Sequence, residues 1–181
     1  MALTRVNNQA LTNVTSAGLP TLASSNMPTG SVIAAEYARK TDHQTFTSTT
    51  FADVTGLTVT MTPASTGSKF LVTASVHYST YHWAAGGAYF GVYANSTLIA
   101  GSSSQVWMVD FGASSSTASY ENRQYFAQRL YSPASTSAQV FKVQMSNGSS
   151  GYDGYVNRSY QSSSGQGSDG ECYLSVLEIA G

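Results

Sequence analysis

The chain has 181 residues, a length that suits one domain of about 150 residues with an appendage. Only 9% of the residues are charged, whereas ordinary globular proteins have roughly 25%. Eight basic and nine acidic side chains give a net charge of −1. This balance argues against nucleic acid as the main partner, because phosphate neutralisation needs a basic patch. The hydrophobic fraction of 41% is enough to build a core, so wholesale disorder is not expected.

Features that would direct the chain to a membrane or to secretion are missing from its sequence. The N-terminal residues have no apolar run and no cleavage site, so no signal peptide is predicted. The longest nearly uncharged apolar stretch, residues 83–94, is too short and too glycine-rich to span a bilayer. The single cysteine, Cys172, cannot form an intrachain disulfide. We therefore expect synthesis in a cytoplasm and no membrane partner.

The composition changes near residue 30. Residues 1–29 place scattered apolar side chains among Asn, Thr and Ser, and Pro20 and Pro28 interrupt any helix there. No apolar stripe continues along this segment. The sequence therefore predicts an N-terminal arm over residues 1–29 that orders only against a partner, followed by a folded domain over residues 30–181.

From Ser31 onward apolar residues recur at every second position, which is typical of half-buried strands. The clearest runs are 57–62, 69–78 and 140–145, and further runs lie at 31–38, 44–51, 88–94, 97–100, 122–131 and 154–160. The last run, 172–179, is apolar on both faces, which predicts a central strand or a strand at a subunit interface.

The breaks between these runs have turn chemistry, with Gly, Pro, Asn and Ser at 62–67, 101–104, 132–133 and 147–148. No window of ten residues carries a helical stripe. Eight to ten short strands at this spacing predict an all-β, antiparallel sandwich or barrel.

Motifs that would carry enzyme chemistry are weak in this sequence. Residues 165–170 match the glycine pattern of dinucleotide sites, but a strand rather than a helix follows them, so we interpret them as a hairpin loop. No nucleophile elbow is present, and Cys172 falls inside a predicted core strand. We expect no catalytic residue and no cofactor.

The histidines and carboxylates give no specific site either. His43, His77 and His82 have no carboxylate or cysteine at ligand spacing, so no metal site is predicted. Glycoside hydrolysis needs two facing carboxylates, and nine acids scattered along the chain provide such pairs by accident. The acids that could form such a pair are Glu36, Asp110, Glu121, Asp153 and Glu171.

Two aromatic clusters carry the strongest functional signal. The first, over residues 78–83, ends a predicted strand and contains Tyr81, His82 and Trp83. The second, over residues 152–160, contains Tyr152, Tyr155 and Arg158. Rigid aromatic rings with a polar tip, beside hydrogen-bonding side chains, suit the binding of saccharides or protein surfaces. The alternative is that these rings fill the core and the subunit contacts.

The pattern of strand and turn residues resembles the β-sandwich domains of tailed-bacteriophage virion proteins, of the tail fibre or minor structural protein type. Residues 30–72, residues 132–144 and the ending 174–181 carry the likeness, which covers residues 30–181 and includes no catalytic motif. The resemblance implies a jelly-roll-like knob, typically a homotrimer, on the surface of a virion.

The resulting hypothesis is a non-enzymatic virion protein. Residues 1–29 would hold it to another virion protein, in the tail, baseplate or capsid, and the trimeric knob would contact a glycan or protein on the host surface. A capsid decoration or cement protein is the first alternative, and a polysaccharide depolymerase is the second. Symmetric assembly would bury the spare apolar face and the edge strands of such a sandwich.

Overall fold

A computed structural model provides the structure of the chain. It describes residues 27–82, 87–101, 119–148, 151, 153–159 and 170–181; within these ranges, the side chains of residues 81–82 and 119–122 are not described. The described residues form ten strands and no helix. In chain order these are β1 (Val32–Lys40), β2 (Gln44–Phe46), β3 (Ala52–Met61), β4 (Lys69–His82), β5 (Ala88–Ala94), β6 (Thr97–Gly101), β7 (Ser119–Tyr131), β8 (Gln139–Asn147), β9 (Gly154–Val156) and β10 (Cys172–Ile179).

The strands form two antiparallel sheets. In the six-stranded sheet, β10 lies between β1 and β4, and β7 pairs with the other side of β4 along its whole length. Near the end of β4, the short strand β9 pairs with it next to β10, and β2 pairs with β9. The second sheet has the order β3-β8-β5-β6.

The two sheets pack face to face around one core, as in a β-sandwich. Alternate residues of each strand point inward, because successive side chains of a strand point to opposite faces. Phe70 of the first sheet meets Phe141 of the second edge-on, with 5.1 Å between ring centroids. Phe90 of the second sheet stacks on Tyr125 of the first at 4.8 Å. Such aromatic pairs contribute about 0.5–1.5 kcal/mol each beyond the area they bury.

The sandwich has two different ends, defined by the direction of β4. Residues 27–31, the turn 62–68, the connection 132–138 and residues 180–181 lie at the end where β4 begins, here called the base end. Two hydrogen bonds of 2.8 Å join these segments there, from Gly30 N to Ala180 O and from Ala180 N to Ser31 O. At the opposite end, here called the loop end, β4 and β8 finish and β5, β7, β9 and β10 begin.

The predicted all-β, antiparallel architecture is confirmed, and so is the central position of the strand over 172–179. The inward alternation predicted for 57–61, 70–78 and 141–145 is also confirmed, since every second residue in these runs is buried. The runs predicted at 44–51 and 154–160 are shorter than expected, with three strand residues each. Of the arm predicted over 1–29, residues 1–26 lie outside the described part of the chain.

Candidate functional site

The register between β4 and β9 brings the two aromatic segments of the sequence together at the loop end. Ser79 of β4 lies opposite Tyr155 of β9, and Thr80 lies opposite Gly154. About seventy-five positions separate these partners along the chain, so their approach depends on the sheet pairing alone. The end of β4 and the segment after β9 therefore form one surface.

Tyr155 is the centre of this surface. Its ring is half-buried, and the guanidinium carbon of Arg158 lies 4.5 Å from the ring centroid, which is a cation–π contact. The Tyr155 hydroxyl donates a hydrogen bond of 3.3 Å to Oδ2 of Asp153. The ring of Tyr155, the cation of Arg158 and the carboxylate of Asp153 thus lie side by side, and all three side chains are partly exposed.

The backbone beneath these side chains is held by buried hydrogen bonds. The Ser79 hydroxyl donates to the carbonyl of Arg158 at 2.6 Å, and the amide of Asn157 donates to the carbonyl of His77 at 3.0 Å. Asn157 has a φ of +57°, a left-handed conformation that Asn tolerates better than most residues. The strand β9 ends at this point because the next residue leaves the extended conformation.

Asn157 is a structural residue that sequence reasoning passed over. It is fully buried, and its Nδ2 donates to the carbonyl of Lys40 at 2.8 Å and to that of Asp42 at 3.3 Å. Its Oδ1 accepts a hydrogen bond of 2.8 Å from the thiol of Cys172. The signal that could have identified it is an Asn directly after a short apolar run, a common position for a left-handed residue.

Cys172 is a buried core residue. Burial raises the pKa of its thiol to about 11, whereas a nucleophilic cysteine needs a lowered pKa and access to solvent. The thiol sulfur also accepts a hydrogen bond from the backbone N–H of His77, with 3.3 Å between nitrogen and sulfur. The placement of Cys172 inside a core strand, predicted from its apolar neighbours, is confirmed.

The other predicted site residues are only partly described. Tyr81 and His82 belong to the last residues of β4, opposite Tyr120 and Ser119 of β7, and their side chains lie outside the described part of the structure. Trp83 and Tyr152 lie outside the described residues altogether. Tyr78, which begins the first aromatic cluster, is buried and contacts the ring of Phe90 at 4.8 Å, so for this ring the core interpretation is correct.

A buried charge lies next to this surface. The ammonium of Lys40 is 2.8 Å from Oδ2 of Asp42; the Lys40 side chain is 1% exposed and the Asp42 side chain is 75% exposed. The hydrogen bond from Lys40 lowers the pKa of Asp42. The pair therefore presents a carboxylate to solvent on the loop between β1 and β2, held by a cation that is itself hidden.

His77 lies on the side of β4 that faces away from the core, below the loop end. Its imidazole packs against the backbone of Gly170, where even a methyl group would collide with the ring. Burial lowers the pKa of His77, since a charged imidazole would lose hydration there. The described geometry thus favours a neutral ring.

Two of the carboxylates named as glycosidase candidates have described hydrogen-bond partners. Glu171 is bound by the guanidinium of Arg39 and by the hydroxyl of Tyr173, and Asp153 accepts from Tyr155. Asp110 and the side chain of Glu121 lie outside the described part. Among the described residues, no group of three His, Cys, Asp or Glu side chains could hold a metal ion.

The arrangement at the loop end is suited to recognition. Tyrosine offers a broad apolar ring with a polar tip, and the adjacent guanidinium and carboxylate offer charged hydrogen-bond partners, a combination found at saccharide and protein contacts. In the described ranges, no helix is long and apolar enough to cross a membrane. Comparison with protein-family models and with curated proteins finds no match to this sequence.

Proposed function

We propose that the chain is a non-enzymatic structural protein of a bacteriophage virion. In this proposal residues 1–29 hold it to another virion protein, in the tail, baseplate or capsid. Residues 30–181 form a jelly-roll knob that assembles as a homotrimer and contacts a glycan or protein of the host surface through its loop end. The protein works on the virion and needs no cofactor.

The observation that carries the proposal is that residues 27–31, at the end of the proposed anchor, and the aromatic surface lie at opposite ends of one sandwich. Residues 27–31 adjoin the start of β4, where Val32 pairs with Ile179 and Ile179 with Lys69. Tyr155 lies opposite Ser79. Ten strand residues separate Lys69 from Ser79, about 33 Å at 3.3 Å per residue. A knob held at its base would present Tyr155 and Arg158 at the far end.

The strand order supports the jelly-roll assignment. When the short strands β2 and β9 are set aside, the first sheet has the order β1-β10-β4-β7 and the second has the order β3-β8-β5-β6. In chain order these are strands 1-8-3-6 and 2-7-4-5 of eight. Two four-stranded sheets that exchange strands by such long connections are the pattern of a double Greek key.

The surface composition supports a place in a crowded assembly. Charged residues make up 9% of the chain, and Ser and Thr supply 49 of 181 positions. Copies with a net charge of −1 repel one another weakly. Many of them can therefore be packed close together on one particle.

The first experiment is a cryo-EM map of the particle that carries this protein, with the fold described above fitted into it. Density at the tail or baseplate, with the loop end pointing outward, is the expected result. Density in hundreds of copies over the capsid shell would refute host contact as the main role and identify a decoration protein. Failure to find the chain in purified particles by mass spectrometry would refute the virion assignment.

The second experiment tests the loop end directly. Purified protein should compete with intact particles for adsorption to host cells. The variants Tyr155→Ala and Arg158→Ala should weaken this competition at least about fivefold, because truncating an interface anchor costs more than about 1 kcal/mol. Thr60→Ala, at an exposed position on the second sheet, is the matched control and should compete like the wild type.

Equal competition by all three variants would remove Tyr155 and Arg158 from the contact. Incubation of the protein with isolated host polysaccharide provides the further check on the non-enzymatic assignment. We expect no release of reducing ends. Steady release that follows protein concentration would favour the depolymerase alternative.

A further inference from the structure

The six-stranded sheet has an outer face, turned away from the core, that is rich in apolar side chains. Across four strands of this sheet the register aligns Leu130 of β7, Leu71 of β4, Leu177 of β10 and Ala35 of β1 in one row. Strands lie about 4.8 Å apart, so this row extends over roughly 14 Å. We call this side of the sheet, from β7 to β1, the outer face.

Large apolar side chains on the outer face are open to solvent. The exposed large hydrophobic residues of the described chain all belong to β1, β7 and β10: Tyr37 (73%), Phe126 (61%), Val32 (53%), Leu130 (50%) and Tyr173 (40%). Phe126 of β7 and Tyr173 of β10 lie on either side of Ser75 of β4. They form a second row, parallel to the row that contains the three leucines, here called the leucine row. Between the two rows lies a third, with Gln128, Thr73, Ser175 and Tyr37, so the outer face is apolar along two rows and more polar between them.

The opposite side of the sandwich differs. On the outer side of the second sheet, Thr58 of β3 lies opposite Lys142 of β8, and Thr60 lies opposite Val140. Asp53 lies opposite Gln144 and forms an ion pair of 2.9 Å with Lys142. The buried core of an interface is depleted in charged residues, whereas a solvated face carries them. The difference identifies the outer face of the six-stranded sheet as the one that requires a cover.

The exposed area fits an interface between protein molecules. A buried aromatic side chain covers about 150–250 Å², so the exposed fractions of Tyr37, Phe126 and Tyr173 alone amount to roughly 350 Å². Val32, Leu130 and the leucine row add to this. Monomers rarely expose more than a few hundred Å² of contiguous apolar surface, and a standard interface buries about 800 Å² on each partner.

The charges on this face are arranged so that a second copy can approach. Arg39 and Glu171 pair with each other at one edge, and Tyr173 also donates to Glu171. The remaining charge among the described side chains of this face, Lys69, lies at the base end and is exposed. A partner with a strong charge of either sign would find no complementary charge in the middle of the face. The same face of a second copy would find apolar side chains that match its own.

The edge strand β7 strengthens this argument. It has 13 residues, and among the described residues its backbone pairs on one side only, with β4. A long, exposed edge beside apolar side chains is a hazard for a protein that stays monomeric, and native chains usually cover it. Phe126 and Leu130 lie on this edge strand, so one neighbour could cover the edge and the face together.

We propose that the outer face, centred on Leu71, Leu130 and Leu177, is the surface through which the chain binds further copies of itself. This inference rests on the homo-oligomer of the proposed function and names the surface that builds it. The four-stranded sheet then faces solvent, and Tyr155 stays outside the contact at the loop end.

The test is sedimentation velocity of the full chain at micromolar concentration. The wild type should sediment as an oligomer. Leu130→Lys and Tyr37→Lys should each raise the concentration at which the oligomer dissociates by at least about tenfold, because the new lysine would be buried in the contact without a partner. Tyr37 is the safer variant for folding, since it is the most exposed of these side chains. Circular dichroism should show unchanged strand content for both variants.

The matched control is Thr60→Lys, which adds the same charge to the polar face of the other sheet and should leave the oligomer intact. An oligomer that survives both outer-face variants would overturn the assignment of this surface while leaving the oligomer in place. A monomeric wild type would overturn both the surface and the trimer. Neither result bears on the position of the protein in the virion, which the cryo-EM map tests separately.

Discussion

The thiol of Cys172 and the carboxamide of Asn157 are joined by a hydrogen bond of 2.8 Å inside the sandwich. Through this contact β10 is tied to the segment after β9, and through Nδ2 of Asn157 the same side chain is tied to the end of β1 at Lys40. Three segments that are distant in sequence therefore meet at one buried side chain directly beneath Tyr155 and Arg158.

Substitution of Asn157 should loosen the loop end. We expect Asn157→Ala to lower the free energy of unfolding by about 2–4 kcal/mol, because it removes buried hydrogen bonds and because alanine tolerates a φ of +57° less well than asparagine does. Chemical denaturation followed by tyrosine fluorescence measures this value.

Asn157→Gly is the matched variant, because glycine accepts the positive φ and loses only the hydrogen bonds. It should be less destabilised than Asn157→Ala by about 1 kcal/mol. Equal unfolding free energies for wild type and both variants would contradict the structural role of Asn157.

The stability of the protein should fall when His77 becomes protonated. The pKa of His77 is lowered in the folded state by burial, so the unfolded chain takes up a proton first as the pH falls. The contribution of the neutral ring is complete above the ordinary histidine pKa of 6.5 and is lost as the pH falls through that value toward the folded pKa. Thermal unfolding at pH 7.5 and pH 5.5 measures the difference.

In His77→Gln this part of the pH dependence should disappear, so that the melting temperatures at the two pH values draw together. His43→Gln, at an exposed histidine, is the control and should keep the wild-type slope. A His77→Gln variant with the full wild-type slope would show that another group is responsible.

Removal of one buried hydroxyl should not harm the core. Tyr125 stacks on Phe90, its hydroxyl is buried without a hydrogen-bond partner among the described residues, and burial raises its pKa to about 12. We expect Tyr125→Phe to keep or raise the free energy of unfolding, by up to about 1 kcal/mol, since an unsatisfied buried group is costly.

Tyr131→Phe on the same strand is the comparison, because its hydroxyl lies 3.5 Å from Oε1 of Gln139. It should keep or slightly lower the unfolding free energy. A loss of more than about 1 kcal/mol in Tyr125→Phe would mean that its hydroxyl has a partner.

Removing the carboxylate partner of the buried Lys40 ammonium should destabilise the protein more than removing the ammonium itself. Asp42→Asn leaves a buried cation without a carboxylate, whereas Lys40→Met replaces the cation by an apolar chain of similar length. We therefore expect Asp42→Asn to lower the unfolding free energy more than Lys40→Met does. The reverse order in urea denaturation would refute this account.

The pH dependence of the same pair follows from the lowered pKa of Asp42. Its contribution is present above the ordinary value of 3.8 and is lost as the pH falls through the lower, folded value. In Lys40→Met the cause of the lowered pKa is gone, so this part of the acid limb should disappear and the unfolding free energy should fall less steeply as the pH falls below 3.8.

The inward faces of the strands could be predicted from the sequence because the period of a strand is local. Val72, Phe141 and Leu174 occupy positions where apolar residues alternate with polar ones, and all three are buried. The end of β9 could not be predicted in this way. The apolar and polar pattern continues to Tyr160, and only the left-handed conformation of Asn157 stops the strand.

The candidate site was predicted in part. Tyr155 and Arg158 were singled out by composition, and the structure adds the cation–π contact and the neighbouring end of β4. Tyr78, in the same aromatic cluster as Tyr81, is a core residue. Composition alone cannot distinguish an exposed ring from a buried one. The face of the sheet on which a ring lies depends on how the strands pair.

The sequence by itself determined the fold class, the small net charge and the inward side of each long strand, since these depend on composition and on a two-residue repeat. Only the tertiary structure decided which strands pair, that the described start of the chain and Tyr155 lie at opposite ends, and that the leucines of β4, β7 and β10 share one row on the outer face. Those relationships join residues as distant in sequence as Val32 and Ile179. They are set by hydrogen bonding between strands, which has no local signature.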